Sequence, residues 1–95
     1  MPMIPTVHMN GSSGEVLRDQ WTAAWRALDG AISALCDAGP NARDYYVQGT
    51  DAPIAAQREH EARVKMLRQM RDDVGAVVDG IEQQIFEREL ARVSR

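Results

Sequence analysis

The fold is decided by residues 12–40, which read SSGEVLRDQWTAAWRALDGAISALCDAGP and carry the clearest periodicity in the chain. Apolar residues recur there at alternating steps of four and three, which places their side chains on one face of an α-helix. This apolar stripe comprises Leu17, Trp21, Ala24, Leu28, Ala31 and Leu35 and is widened by Trp25, Ile32 and Cys36. We therefore predict an amphipathic helix over residues 14–38 that needs a partner on its apolar side.

Start and stop signals flank this predicted helix. Ser12 and Glu15 form an S-x-x-E capping box, in which the two side chains satisfy backbone N–H groups at a helix start. Gly39 and Pro40 follow the last periodic residue. Glycine accepts the left-handed conformation that often ends a helix, and proline cannot continue one. We expect Ser12 to cap the helix and Gly39 to end it.

A second helical region covers residues 53–95. Asp51 suits a helix cap, and Pro53 is tolerated in a first turn. Its apolar positions are Val64, Leu67, Met70, Val74, Val77 and Ile81, followed on a slightly rotated stripe by Ile85, Phe86, Leu90 and Val93. Gly75 and Gly80 each destabilise a helix by about 1 kcal/mol relative to alanine. They indicate a kink, a break into two helices, or close packing of a neighbouring backbone, and a single helix weakened near Gly80 is our first choice.

These patterns together predict an all-α antiparallel helical hairpin in a single domain, 1–95. It consists of an extended arm at 1–13, a first helix at 14–38, a loop at 39–52 and a long second helix at 53–95. Ninety-five residues are too few to divide into two cores. The contents of hydrophobic and charged residues, 44% and 26%, are those of a globular domain.

The two predicted helices differ in length, and this predicts self-association. Residues 14–38 span about 37 Å and residues 53–93 about 61 Å at ~1.5 Å per residue, so the second helix would outrun the first near residue 78. Each large apolar side chain left in water forfeits roughly 1.5–3 kcal/mol. The arm could cover part of this overhang, or a break at Gly80 could fold it back. The simpler solution is a homo-oligomer, by default a dimer, with an interface of Val77, Ile81, Ile85, Phe86, Leu90 and Val93.

Charge and cysteine content exclude several classes of protein. A net charge of −3 argues against a nucleic-acid-coating protein, although the basic face from Arg58 to Arg71 leaves a nucleic-acid-binding regulator as a minor alternative. One cysteine cannot form an internal disulfide. No apolar run approaches the ~18 residues of a membrane helix, and residues 1–5 lack the features of a signal peptide. We expect a cytoplasmic protein without a membrane partner.

Catalytic and metal-binding patterns are missing from the sequence. His8 and His60 have no companion Cys/His cluster at ligand spacing, so no metal site is expected. Cys36 lies beside the apolar stripe and suits a small core residue better than a nucleophile. The acidic residues lack the partners that acid–base catalysis needs. We therefore expect no enzyme, no catalytic residues and no cofactor.

Two segments could bind a ligand, and the first is the arm, where residues 4–11 read IPTVHMNG. If this segment is extended, alternation places Thr6, His8 and Asn10 on one side, together with Ile4. We interpret these polar residues as a lip over a binding site. The alternative is a flexible arm that ends in the helix cap.

The second segment is the connection, where residues 40–49 read PNARDYYVQG. It exceeds the ~2–8 residues that usually join two helices, and such long connections often bind ligands. Arg43 offers a guanidinium group to an anion, Asp44 could orient it, and Tyr45 and Tyr46 offer stacking faces. We predict that these four residues bind a planar or anionic ligand. The alternative is that one tyrosine closes the end of the hairpin and that Arg43 and Asp44 form a surface pair.

The arm motif and the connection motif, residues 4–11 and 41–49, resemble those of small accessory proteins encoded by tailed phages and prophages. By analogy, this resemblance implies an antagonist of host defence. Such a protein would sequester a nucleotide-derived immune signal, a cyclic oligonucleotide or an ADP-ribose-type ligand, in a homo-oligomer. The alternative is a helical module that binds a host defence protein or a virion protein through residues 81–93. The two motifs lie about 37 Å apart in a hairpin, so they meet only if subunits pack antiparallel or the arm folds back.

Overall fold

The computed structural model describes residues 2–94, and within that range regular structure is entirely helical. Helix α1 spans Gly14–Asp37, the short helix α2 spans Ala42–Tyr45 and is followed by a 3-10 turn at Tyr46–Gln48, and helix α3 spans Ala52–Val93. Helices α1 and α3 pack antiparallel along an elongated molecule of 70 × 22 × 21 Å. The predicted all-α class and the long second helix are confirmed, and α2 is a helix inside the connection that was expected to be a loop.

Helix α1 begins at Gly14, and its capping residue is Ser13. The Ser13 Oγ accepts a hydrogen bond from the Val16 N–H at 3.1 Å. The prediction that Ser12 is the cap is wrong by one residue, because Val16 supplies the third amide of a helix that begins at Gly14. Glu15 lies in the first turn, where a negative charge favours the positive end of the helix.

Helix α1 ends at Ala38 without a left-handed residue. Ala38 has a φ of −83° and its N–H bonds to the Ala34 carbonyl. Among residues 2–94, Gly49 is the one residue with a positive φ, at 139°, so the left-handed Gly39 was a wrong prediction. A Cβ at Gly39 would lie 3.1 Å from the Cys36 carbonyl oxygen and 3.6 Å from His60 Nε2. Gly39 thus provides space beside α3 and not an unusual backbone conformation.

Helix α3 is one unbroken α-helix through Gly75 and Gly80. Each glycine receives a side chain from elsewhere in the chain. A Cβ at Gly75 would lie 3.3 Å from Trp25 Nε1, and a Cβ at Gly80 would collide with Ile4 Cδ1 and lie 2.9 Å from Ile4 Cγ2. Close packing explains both glycines, although side chains and not a backbone fill the space. At the start of α3, Asp51 occupies the cap position without accepting a helix N–H, and Pro53 lies in the first turn.

The register of the hairpin differs from the predicted one. Gly14 lies against Ile85, and Gly39 lies beside His60, so α3 extends beyond α1 at both ends. Helix α2 and the 3-10 turn pack on the extra length at the start of α3. The start of α1 therefore lies beside residue 85 of α3 and not near residue 78, where the second helix was expected to outrun the first. An ion pair of 2.7 Å between Arg71 Nη1 and Asp29 Oδ1 joins the two helices near the middle.

The arm packs on α3 and is held there by three hydrogen bonds between its backbone and side chains of the helix. The Val7 N–H donates to Gln84 Oε1 at 2.8 Å, and Gln84 Nε2 donates to the Pro5 carbonyl oxygen at 2.8 Å. Arg88 Nη1 donates to the Val7 carbonyl oxygen at 2.9 Å. The Ile4 side chain fills the notch at Gly80. The arm therefore covers part of the overhang within one chain.

Two residues that were expected in the oligomer interface are buried in the core of the single chain. Its buried residues are Ile32, Val64, Val74, Val77 and Ile81. Val77 and Ile81 are only 2% and 0% exposed, so the prediction that they contact another subunit requires correction: α1 and the arm already enclose this stretch of α3. Ile85 is half-buried against Gly14. Phe86, Leu90 and Val93 stay exposed and remain the predicted interface.

Replacing Gly80 by alanine tests the notch. In an open helix this change stabilises by about 1 kcal/mol, but overpacking here costs roughly 1–3 kcal/mol. We expect Gly80→Ala to lower the free energy of unfolding by about 1 kcal/mol. Gly30→Ala is the matched control, since nothing lies within 4 Å of a Cβ at that position in α1. It should raise the free energy of unfolding by about 1 kcal/mol, and urea titration measures both values.

Ile4→Ala should reverse the sign of the Gly80→Ala effect, because it removes the side chain with which the new methyl group collides. A Gly80→Ala variant as stable as Gly30→Ala in the presence of Ile4 would contradict the docking of the arm.

Candidate functional site

The structure separates the predicted ligand-binding residues into two groups. Thr6, His8 and Asn10 lie in the arm near the start of α1, whereas residues 43–46 lie beyond its end. The 24 residues of α1 hold these groups about 36 Å apart. The arm does fold back, but Ile4 reaches only as far as Gly80. Of the two arrangements expected to join the groups, a folded-back arm does not bring them together, and an antiparallel arrangement of subunits remains the prediction.

An open cavity of about 710 Å³ lies at the arm end of the molecule and is called here the arm cavity. The arm, the first turn of α1 and the last third of α3 form its walls. The lining residues whose side chains carry an imidazole, a thioether, a carboxylate or a guanidinium group are His8, Met9, Glu15, Arg88, Glu89 and Arg92. Ligand sites in proteins commonly have volumes of ~300–1,000 Å³, so the arm cavity has room for a molecule of nucleotide size.

Both signs of charge line the arm cavity. Arg88 and Arg92 lie one turn apart on α3 and both line the cavity, as do Glu15 of α1 and Glu89 of α3. The start of α1 also lines it through Gly14, and a helix start favours negative charge. Two guanidinium groups beside such a helix start suit a ligand that carries an anionic group.

The arginine pair was missed in the sequence. The available signal was the spacing of Arg88 and Arg92, because residues four apart occupy the same helix face. This signal is weak, since exposed helices commonly carry such pairs. Only the docked arm reveals that this helix face borders a cavity.

The arm motif forms a turn at the cavity. The Gly11 N–H donates to the His8 carbonyl oxygen at 3.3 Å, and a Cβ at Gly11 would lie 2.7 Å from His8 Nε2. The imidazole ring therefore lies over Gly11, which explains glycine at this position. Of the three predicted arm residues, His8 lines the cavity, whereas Thr6 and Asn10 are exposed outside it.

The connection forms a capped helical turn. The Asn41 side chain accepts a hydrogen bond from the Arg43 N–H at 3.0 Å, which initiates α2. Tyr45 is half-buried, whereas Tyr46 is 65% exposed. Arg43 and Asp44 are also exposed. Tyr45 thus packs at the end of the hairpin, as in the alternative interpretation, and Tyr46 is the tyrosine that can offer a free stacking face.

A second cavity, of about 610 Å³, lies near the end of α1. It is lined by Cys36, Pro40, His60, Lys65, Arg68 and Asp72, among others. Cys36 is exposed and carries a free thiol, so the prediction of a core cysteine is wrong. Within residues 2–94, no three His, Cys, Asp or Glu side chains are placed to hold a metal ion.

The last part of α3 exposes an apolar stripe, called here the C-terminal stripe. It consists of Phe86, Leu90 and Val93, which are 56%, 50% and 82% exposed. Their spacing places them on one helix face. At ~100° per residue, this face lies roughly 150° around α3 from the face that holds the arm. The C-terminal stripe and the docked arm therefore use different sides of α3.

Comparisons with protein-family models, curated proteins and solved structures found no match. In the part of the chain that the structure describes, none of the helices combines the length and the apolar character needed to cross a membrane.

Alanine substitution distinguishes the roles of the two tyrosines. We expect Tyr45→Ala to lower the free energy of unfolding by about 2 kcal/mol because it removes a packed ring. Tyr46→Ala should change it by less than about 0.5 kcal/mol, as for other exposed positions. Thermal unfolding followed by circular dichroism measures both. Equal losses for the two variants would show that Tyr46 is also packed and offers no free face to a ligand.

Proposed function

We propose that this chain is a non-catalytic binding protein that captures an anionic, nucleotide-like ligand in the arm cavity. The observation that carries the proposal is the cavity itself, about 710 Å³ in volume and lined by Arg88, Arg92 and His8 at the start of α1. The ligand would be a cyclic oligonucleotide or an ADP-ribose-type molecule. The protein would act as a homo-oligomer in the cytoplasm of a phage-infected host.

Each wall of the arm cavity would have a distinct task in binding. Arg92 offers a planar guanidinium that can bind a phosphate through two parallel hydrogen bonds. Arg88 would share its guanidinium between the ligand and the Val7 carbonyl that it already contacts. The ring of His8 and the thioether of Met9 supply less polar surface for a base. Glu15 and Glu89 would disfavour a ligand whose negative charge is not aimed at the arginines.

Binding and not catalysis is the activity that these residues favour. Ser13 lines the cavity, but its hydroxyl oxygen accepts the Val16 N–H as the helix cap. The thiol of Cys36 belongs to the second cavity, near the opposite end of α1. A nucleophile held next to a base is the usual requirement for covalent catalysis, and among the described residues no hydrogen bond joins the Ser13 hydroxyl to His8.

The proposed biological role is defence antagonism by sequestration. The resemblance of the arm and connection motifs to small phage proteins supports this role. A protein that binds a signal without converting it must be abundant or bind tightly. Each copy of the chain supplies one arm cavity, so the amount of signal that can be bound rises with the number of copies.

Calorimetric titration tests ligand capture. Cyclic di- and trinucleotides and ADP-ribose derivatives should be titrated into the wild-type protein and into Arg92→Gln. We expect Arg92→Gln to weaken binding by about tenfold or more, because hydrogen bonds to charged groups are worth ~1.5–3 kcal/mol. Arg58→Gln is the control, since it removes the same charge from an exposed position near the other end of α3. The absence of binding heat from every ligand with a folded protein would refute capture, and equal losses for both variants would place the site elsewhere.

The C-terminal stripe supports the proposed self-association. Two copies could bury Phe86, Leu90 and Val93 against each other, and the stripe lies next to the arm cavity at the same end of the molecule. The same exposure supports a second candidate function, a helical module that binds a host defence protein or a virion protein. The oligomeric state decides between these uses of the stripe.

Matched substitutions at two exposed apolar positions of α3 test the stripe. Phe86 and Ile54 are both 56% exposed but lie near opposite ends of the helix. We expect Phe86→Asp to convert the oligomer to a monomer in sedimentation velocity at micromolar concentration, because an uncompensated carboxylate is costly in an apolar contact. Ile54→Asp should leave the assembly intact. A wild-type protein that sediments as a monomer would contradict self-association and favour the second candidate.

A further inference from the structure

The surface of α3 that holds the arm has the properties of a recognition site for an extended peptide. We name it the arm groove; it consists of Gly80, Gln84 and Arg88. The Gly80 notch receives one branched apolar side chain, that of Ile4. Gln84 holds the backbone on both sides of Thr6 through the Pro5 carbonyl and the Val7 N–H, each at 2.8 Å. Arg88 then binds the Val7 carbonyl at 2.9 Å.

These contacts specify a short pattern. The notch selects the first residue by shape, whereas the amide of Gln84 and the guanidinium of Arg88 read backbone atoms. Position three of the pattern is Thr6, whose side chain is exposed. Val7 packs toward Gly14, where a Cβ would lie 3.4 Å from Val7 Cγ1. The groove, together with Gly14 of α1, therefore holds the extended Ile-Pro-x-Val segment through one apolar side chain and three backbone hydrogen bonds.

The contacts of this segment do not require that it belong to the same chain. Residues 8–13 join it to α1 through a turn that holds one backbone hydrogen bond, from the Gly11 N–H to the His8 carbonyl, at 3.3 Å. Ser12 and Ser13 after the turn are exposed. Such a short tether gives the arm a local concentration on the order of millimolar at its own groove. Binding within the chain therefore dominates in dilute solution, while identical arms can compete when copies are held close together.

We propose that the arm groove is an interaction site for the Ile-Pro-x-Val segment of a second copy of this chain, so that neighbouring copies exchange arms. Exchange of an identical element makes the same contacts between chains that the structure has within one chain. The site would then contain Ile4 and Val7 from one copy and Gly80, Gln84 and Arg88 from the other. This proposal does not depend on a ligand in the arm cavity.

Complementation between two defective chains tests the proposal. The first chain carries Ile4→Asp, which disables the arm and leaves the groove intact. The second carries Gly80→Ala with Gln84→Ala, which disables the groove and leaves the arm intact. Mixed at equal micromolar concentrations, they should form a one-to-one complex that native mass spectrometry identifies by its mass. The control mixture combines the first chain with a second chain that also carries Ile4→Asp, so that no competent arm is present.

We expect the complex to be at least about tenfold more abundant in the test mixture than in the control, since tethering is not needed for recognition. Both mixtures contain chains with an unchanged C-terminal stripe, so complexes formed through the stripe are equally abundant in both and do not affect the ratio. Equal abundance in the two mixtures would overturn the proposal.

Binding of a synthetic arm peptide tests the arm groove without the need for two defective chains that fold. A fluorescent peptide with the sequence of residues 2–10 should bind the full-length Ile4→Ala chain, whose groove is intact and whose own arm is weakened. The same peptide with Ile4→Asp should not bind. Absence of binding by the first peptide, with the Ile4→Ala chain folded by circular dichroism, would also overturn the proposal.

Discussion

Two missing side chains on one long helix determine how this molecule packs. At Gly75 and Gly80, α3 presents bare backbone. Ile4 approaches Gly80 at a distance that a methyl group would prevent, and Trp25 packs so close to Gly75 that a methyl group there would force a small shift. The loss of helix propensity, about 1 kcal/mol at each glycine, is offset by the packing that these notches allow. Trp25 holds α1 in register near the middle of the hairpin, and Ile4 anchors the arm. Helix α3 runs unbroken through both glycines.

The docked arm changes the interpretation of the whole overhang. A bare extension of α3 past α1 would expose Ile81 and Ile85, and would leave self-association as the simplest remedy. Instead α1 reaches Ile85, the arm occupies the neighbouring face, and Ile81 is fully buried in a single chain. What stays exposed is the C-terminal stripe. Three of the six residues expected in the oligomer interface, Phe86, Leu90 and Val93, therefore remain available for self-association, and they lie on one face of α3.

The arm motif also acquires a structural explanation. Ile4 fills a notch, Pro5 and Val7 contribute backbone hydrogen bonds, and Gly11 makes room for the ring of His8. Most of the motif thus serves docking, and His8 is the predicted arm residue that reaches the cavity. Function and folding are combined in one segment, because the arm that completes the core also forms a wall of the cavity. Any ligand in the cavity would therefore contact a segment whose position depends on Gly80 and Gln84.

The sequence predicted well what depends on local periodicity and less well what depends on packing. The stripe from Leu17 to Leu35 identified α1, and an apolar run with a proline start identified α3. The cap was displaced by one residue because two adjacent serines offer the same chemistry. The register was wrong because nothing local indicates that α2 packs on the start of α3. Three features depend on tertiary packing and have no direct signal in a single sequence. They are the side chains that fill the space at Gly75 and Gly80, the cavity beside Arg88 and Arg92, and the separation of the two motifs.

The amide of Gln84 and the notch at Gly80 hold the arm on α3. Amide hydrogen exchange at Val7, followed by NMR on the full-length protein, measures this docking, because the Val7 N–H donates to Gln84 Oε1. We expect Val7 to exchange much more slowly than the exposed neighbour Thr6, and Gln84→Ala to abolish the difference. Exchange of Val7 in the wild-type protein at the rate of an unfolded peptide would show that the arm is not docked.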